Sequence, residues 1–103
     1  MVKIRLFCAT GMSTSMLVPR MKKAAEVKGI EVDIEAFPEH QMLDHLDKLD
    51  LALLAPQVGY TLPNSKKICG QAEVPIEVIP TVDFGMMNGE KVLDFALKLI
   101  GNK

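Results

Sequence analysis

Four short β-rich runs, each followed by a longer helix-like stretch, constrain this chain more than any other feature. Residues 2–8, VKIRLFC, alternate Val2, Ile4 and Leu6 with Lys3 and Arg5, the period-2 pattern of a strand. Residues 30–37, IEVDIEAF, form a second run and stop at Pro38. Residues 51–56, LALLAP, are apolar without a break, as a strand covered on both faces has to be. Residues 75–80, PIEVIP, supply a fourth strand between prolines. Strands joined through helices run parallel, and right-handed crossovers put helices on both faces of the sheet. The predicted architecture is α/β: a three-layer, doubly wound, four-stranded parallel sheet of order 2-1-3-4. That order places a topological switch beside strand 1, and ligands of such sheets bind at the carboxyl ends of the strands near the switch. Cys8 is the last residue of strand 1.

The stretches between strands carry helix signals of unequal strength. Residues 13–29 open on hydroxyl residues suited to an N-cap, place Leu17, Met21, Ala24, Ala25 and Lys28 at helical spacing, and reach Gly29 as a C-cap. Pro19 lies past the first turn and removes one backbone hydrogen bond, which predicts a bend near residues 15–19. A short helix is expected over 39–48, and Pro63 and Asn64 open another that ends near Gly70. Residues 88–101 are amphipathic. Asn88 is the expected cap, Val92, Leu93, Ala96, Leu97, Leu99 and Ile100 the apolar face, Gly101 the stop, and Asp94–Lys98 an i,i+4 ion pair.

Composition matters mainly for what it excludes. With 103 residues, 49% of them hydrophobic, the chain has material for one domain, residues 1–103, and one core. A net charge of −1 gives no overall attraction to nucleic acid, and Tyr60, with no Trp, leaves little for stacking on bases. No apolar run approaches the roughly 20 residues that span a bilayer. Lys3 and Arg5 interrupt the only apolar stretch that a signal peptide would use. Cys8 and Cys69 form neither a CxxC pair nor a zinc spacing, which points to reduced thiols and a cytoplasmic location. Charge is uneven along the chain, with basic residues concentrated before position 29 and acidic ones between 31 and 50. Solvated faces explain most of this, while Arg20, Lys22 and Lys23 are available to an acidic partner.

The chemistry concentrates after Cys8. Residues 9–15 are Ala9, Thr10, Gly11, Met12, Ser13, Thr14 and Ser15. Small side chains and a glycine allow a sharp strand-to-helix turn, whose inward N–H groups make a nest for an anion. The following helix adds its unpaired N–H groups and the positive end of its dipole, and the hydroxyls add further donors. The pattern is that of a phosphate cradle with a thiol at its mouth, and the same donors favour Cys8 as thiolate. The bland alternative is a buried cysteine followed by an ordinary N-cap. An ATP-type P-loop is excluded, because no lysine follows Gly11 within the loop. Neither nucleotide, metal nor other cofactor is expected.

LFCATGMSTSMLVPRM, with EAFPE (35–39), APQVGYTLP (55–63) and PIEVIP (75–80), resembles the B component (enzyme IIB) of the lactose/cellobiose family of the bacterial sugar phosphotransferase system. The resemblance runs over almost the whole chain and implies a flavodoxin-like or phosphatase-I-like domain. It implies that Cys8 takes a phosphoryl group from a phosphohistidine on the A component (IIA). Cys8 then passes it to a β-linked disaccharide held by the membrane C component (IIC), where the B component associates with the inner face of the membrane. It further implies that residues 9–15 wrap the phosphoryl group and that Gln57 and Tyr60 line the neighbouring loop. The sequence departs from the family at Pro19 and in the run IPTVDFG (79–85). Which sugar is carried is left open, and a monomer is the default state.

A low-molecular-weight tyrosine phosphatase is the rival, since that family also follows strand 1 with a C-x5-R-[ST] loop. Here Thr14 stands where the arginine belongs, and a hydroxyl cannot hold two phosphoryl oxygens in a bidentate fork. Asp83 is the one carboxylate placed suggestively for acid catalysis. A third possibility is an interaction module with a structural Cys8. Cys69 is expected to be a packed, inert thiol, and His40 and His45 surface residues too far apart in sequence for a helical metal pair. Met12, in the loop, is expected to be exposed to a docking partner.

Overall fold

The computed structural model describes residues 1–10 and 12–101, with Ser13 described through its backbone alone. Strands β1 (Val2–Cys8), β2 (Val32–Pro38), β3 (Leu51–Leu54) and β4 (Ile76–Val78) form one parallel sheet in the order β2-β1-β3-β4. Among the described residues, four helices accompany them: α1 (Met12–Lys28), α2 (Leu62–Gln71), α3 (Thr81–Gly85) and α4 (Gly89–Gly101). Two 3₁₀ turns, Glu39–His45 and Pro56–Thr61, complete the connections. The doubly wound order expected from the alternation is the order found.

Strand alternation explains the layers. Ile4, Leu6 and Cys8 point to one face of β1, toward α1 and α4, whose Leu17, Met21, Val92, Leu93 and Ala96 are buried. Arg5 and Phe7 point to the other face. There Phe37 of β2 stacks on His45, ring centroids 3.5 Å apart, so the Glu39–His45 turn covers that side. His45 is thus packed against the sheet rather than a free surface residue. Leu51, Ala52, Leu53 and Leu54 are all fully buried, as the unbroken apolar run of β3 required.

The ends of α1 follow from local chemistry. Gly29 takes a left-handed φ of 70° and closes the helix, its N–H donating to the Glu26 carbonyl while Ile30 N–H donates to that of Ala25. Pro19 is accommodated within the helix, exposed on its outer side. At α4, Asn88 Oδ1 accepts the Lys91 N–H at 3.1 Å, the cap that was expected. Asp94 instead reaches across to Lys28 of α1, 3.0 Å away, so the i,i+4 pair with Lys98 gives way to a bridge between helices.

Other elements are shorter than the sequence pattern predicts. β2 begins at Val32, β3 ends at Leu54, and β4 keeps only Ile76–Val78. Prolines set part of this difference: Pro56 starts a 3₁₀ turn, and Pro80 stands immediately before α3, a helix too short to show a period in the sequence. The expected helix over 39–48 is a 3₁₀ turn that ends at His45. Helix α2 starts at Leu62, with Pro63 in its first turn, where the missing N–H costs nothing.

Arg5 departs most from the expectation of a solvated strand residue. It is buried, with its guanidinium turned onto the neighbouring strand β2. Its guanidinium donates to both carboxylate oxygens of Asp33, at 3.1 and 3.2 Å, and to the Asp33 carbonyl at 2.9 Å. This hydrogen bond holds the Asp33 carboxyl below the usual carboxylate range, against the opposing effect of desolvation, with Lys3 and Lys22 adding to it. A depressed folded pKa stabilises the fold above the unfolded value near ~4, and that contribution is lost as pH falls through the folded pKa. Asp33→Asn is expected to lower stability by about 1 kcal/mol at pH 7, a small value because the carboxylate is partly exposed. The gap between variant and wild type should close in denaturant melts recorded progressively below about pH 4. A gap independent of pH would mean that the charge of Asp33 contributes nothing.

Candidate functional site

The site forms where β1, β3 and α1 meet. Phe7 and Leu54 are register partners, and the Ala55 N–H donates to the Phe7 carbonyl at 2.8 Å, so the chain leaves both strands at one end of the sheet. From β1 it passes through Ala9 and Thr10, both exposed, into α1 at Met12. Gly11 lies outside the described residues, as does the side chain of Ser13. From β3 it passes into the Pro56–Thr61 turn, which buried Val58 anchors and which presents Gln57 and Tyr60 to solvent. Strand β4 delivers α3 to the same end, with Asp83 in its first turn.

Cys8 is 2% exposed. Its thiol is therefore buried at the end of β1 rather than open to solvent at the mouth of the loop. Thr14, fully buried in the first turn of α1, donates its hydroxyl to Cys8 Sγ at 3.4 Å. No acidic residue occupies that turn, so nothing there opposes the positive end of the helix dipole.

Two of the other hydroxyls, those of Thr10 and Ser15, meet the start of α1. Because α1 begins at Met12, one residue early, Ser13 belongs to its first turn rather than to the cap position. Thr10 Oγ1 accepts the Met12 N–H at 3.3 Å. Ser15 Oγ donates to the Met12 carbonyl at 2.6 Å, so it braces the helix start instead of the thiol. Among the described hydroxyls of the loop, Thr14 is the one that meets Cys8.

Residues 3–95 match the family described as "PTS system, Lactose/Cellobiose specific IIB subunit". The chain belongs to this family. It is 36% identical over 103 residues, all of both chains, to the PTS system oligo-beta-mannoside-specific EIIB component of Bacillus subtilis (strain 168). It is 41% identical over 102 residues, 94% of each chain, to the PTS system cellobiose-specific EIIB component of Lactococcus lactis subsp. lactis (strain IL1403). The solution structure of a cellobiose-specific phosphotransferase IIB component from Borrelia burgdorferi superposes with a TM-score of 0.81. That pair is 44% identical, covering 99% of this chain and 94% of the other. The resemblance carried by LFCATGMSTSM therefore holds along the whole fold, and the chain is a sugar-phosphotransferase component.

Several residues of this IIB chain stand apart from that chemistry. Cys69 is fully buried in α2, and its thiol donates to Met42 Sδ at 3.7 Å. Burial pushes it up to about 11, which makes it the inert thiol that was expected. Among the described residues, no group of three or more His, Cys, Asp or Glu comes together to hold a metal. No described helix is long and apolar enough to cross a membrane. Met12 is exposed, as expected, and so are Met16, Val82 and Met86. The signal for Met16 was its i+4 relation to Met12. For Val82 and Met86 there was none, because α3 is too short to show a period.

Proposed function

We propose that Cys8 is the phosphoryl acceptor of this IIB chain. It takes the group from a phosphohistidine on the A component and delivers it to a β-linked disaccharide held by the membrane C component. In the first step the Cys8 thiolate attacks phosphorus; the S–P bond forms, the N–P bond breaks, and the imidazole keeps the bonding pair. In the second, a sugar hydroxyl attacks the same phosphorus. The O–P bond forms, the hydroxyl proton passes to a base at the sugar site, and Cys8 leaves as thiolate. No group is oxidised or reduced, and phosphoryl transfer asks the protein mostly for position and charge stabilisation.

The observation that carries this reading is the Thr14 hydroxyl on Cys8 Sγ at the start of α1. A hydroxyl and a helix N-terminus stabilise a thiolate and the dianion that it acquires. They lack the bidentate arginine on which a phosphatase of this topology depends. The phosphocysteine is therefore built to wait for its next partner instead of turning over to water. Residues 9–15 would enclose the phosphoryl group, and Gln57 and Tyr60 would flank it from the neighbouring turn.

The test is incubation with the phosphorylated A component, followed by mass spectrometry to locate the adduct. Thr14→Val keeps the shape but removes the donor, and should slow phosphorylation of Cys8 by roughly tenfold, the value of a hydrogen bond to a charged group. Thr14→Ser should restore most of the rate. Equal rates in all three proteins would remove Thr14 from the site, and absence of any adduct on wild-type Cys8 would overturn the reading itself.

A further inference from the structure

A groove of about 590 Å³ separates α1 from the turn between α3 and α4. Its cations are Arg20, Lys23 and Lys28, set against Glu90 as the one carboxylate that lines it. Lys28 is already paired with Asp94, and the Arg20 guanidinium donates to the Met87 carbonyl at 3.4 Å. Lys23 is in no ion pair among the described residues. Between these charges, Val27 and Met86 are 81% and 70% exposed. The groove thus combines an excess of positive charge with an apolar surface that solvent alone does not satisfy.

It is also continuous with the site. Met12, Met16, Arg20, Lys23 and Val27 follow one another at steps of four, four, three and four residues, which places them on one face of α1. All five are exposed. A protein seated over the loop that follows Cys8 therefore meets a continuous stripe, with methionines beside the site and cations with an apolar foot in the groove.

We propose that the groove seats an acidic, amphipathic segment of the phosphoryl-donor protein, the A component. This rests on the acceptor reading of Cys8. Carboxylates on that segment would face Arg20 and Lys23 while an apolar side chain covers Val27 and Met86. The charge selects between the two partners. Cytoplasmic loops of membrane proteins carry an excess of Lys and Arg, which a basic groove repels, whereas a soluble donor is free to be acidic. A carrier must also release each partner quickly. Charge steering with adaptable methionine contacts raises the encounter rate without demanding a tight complex.

The test compares Arg20→Glu/Lys23→Glu with Lys66→Glu/Lys67→Glu, an equal charge change on exposed residues of α2. Initial rates of phosphoryl transfer to Cys8 are measured against the concentration of phosphorylated A component, at low and high salt, after circular dichroism has verified the fold. The groove pair should raise KM roughly tenfold at low salt while kcat stays within about twofold, and high salt should close the gap. The α2 pair should stay within about twofold of wild type in both parameters. Equal effects from the two pairs, or none from the groove pair, would overturn the proposal. So would a change confined to self-association in sedimentation, which would give the groove to a second copy of the chain. If wild type accepts no phosphoryl group, the acceptor reading fails instead. Equilibrium binding of the unphosphorylated A component to the same variants then decides the groove separately.

Discussion

Cys8→Ser is expected to abolish phosphoryl acceptance, with a loss on the order of 10⁴-fold or more, as for removal of other essential nucleophiles. Serine fits the space, since Cys8 is 2% exposed and the substitution removes little volume. The Thr14 hydroxyl retains an acceptor there, so the thermal midpoint should barely move. The ionisation changes far more. A thiol is partly ionised near neutral pH and a helix N-terminus favours its thiolate, whereas a serine hydroxyl stays protonated unless a base takes its proton. The hydroxyl that meets Cys8, Thr14, donates to the sulfur. An oxygen ester would also be a poorer group to hand on, because alkoxide leaves less readily than thiolate. Incubation with phosphorylated A component and peptide mapping reads the acceptance step, and Cys69 serves as internal control. With its pKa pushed to about 11, Cys69 is thiolate in only about one molecule in a thousand at pH 8, so it should carry no adduct. An adduct on the serine variant at the wild-type rate would end the assignment of Cys8.

What the sequence made legible, and what it did not, divides by the range of the interaction. The strands and the position of Cys8 were readable because they rest on patterns carried by neighbouring residues: alternation in β1, the unbroken run of β3, and the loop that follows Cys8; the strand order followed from the handedness of crossovers and a switch beside β1. Gly29 and Asn88 were readable for the same reason, as each caps a helix through partners within a few positions. Arg5 was misread because the partner that holds it, Asp33 of β2, lies 28 residues away in sequence. Asp94 was misread because Lys28, on a helix distant in sequence, lies closer than Lys98. In the site, the residue types were apparent but the division of labour was not. A shift of one residue in the start of α1 assigns Thr10 and Ser15 to the helix and leaves Thr14 to the sulfur.

Gly89→Ala should destabilise the fold by about 3 kcal/mol, at the upper end of what overpacking a close contact costs. Gly89 is the first residue of α4 and is buried where that helix crosses α1. A Cβ placed there would lie 2.4 Å from the Arg20 carbonyl carbon, 2.6 Å from its oxygen and 2.7 Å from its Cβ. Two of these neighbours are backbone, so no rotamer change relieves the overlap and the helices must separate. Separation opens the packing around Leu17, Met21, Val92, Leu93 and Ala96, all of them fully buried. Alanine's better helix propensity opposes the loss by at most about 1 kcal/mol, and by less at a first-turn position. For a domain of this size the net loss corresponds to a fall of roughly 15 °C in the thermal midpoint. Gly70→Ala is the matched comparison. Gly70 lies inside α2 with nothing within 4 Å of the added methyl, so the same substitution there should raise the midpoint slightly. Opposite signs from one chemical change would tie the effect to the α1–α4 crossing. A Gly89→Ala protein that melts with wild type would show that the two helices can part at no cost, and the close approach would then contribute nothing to stability.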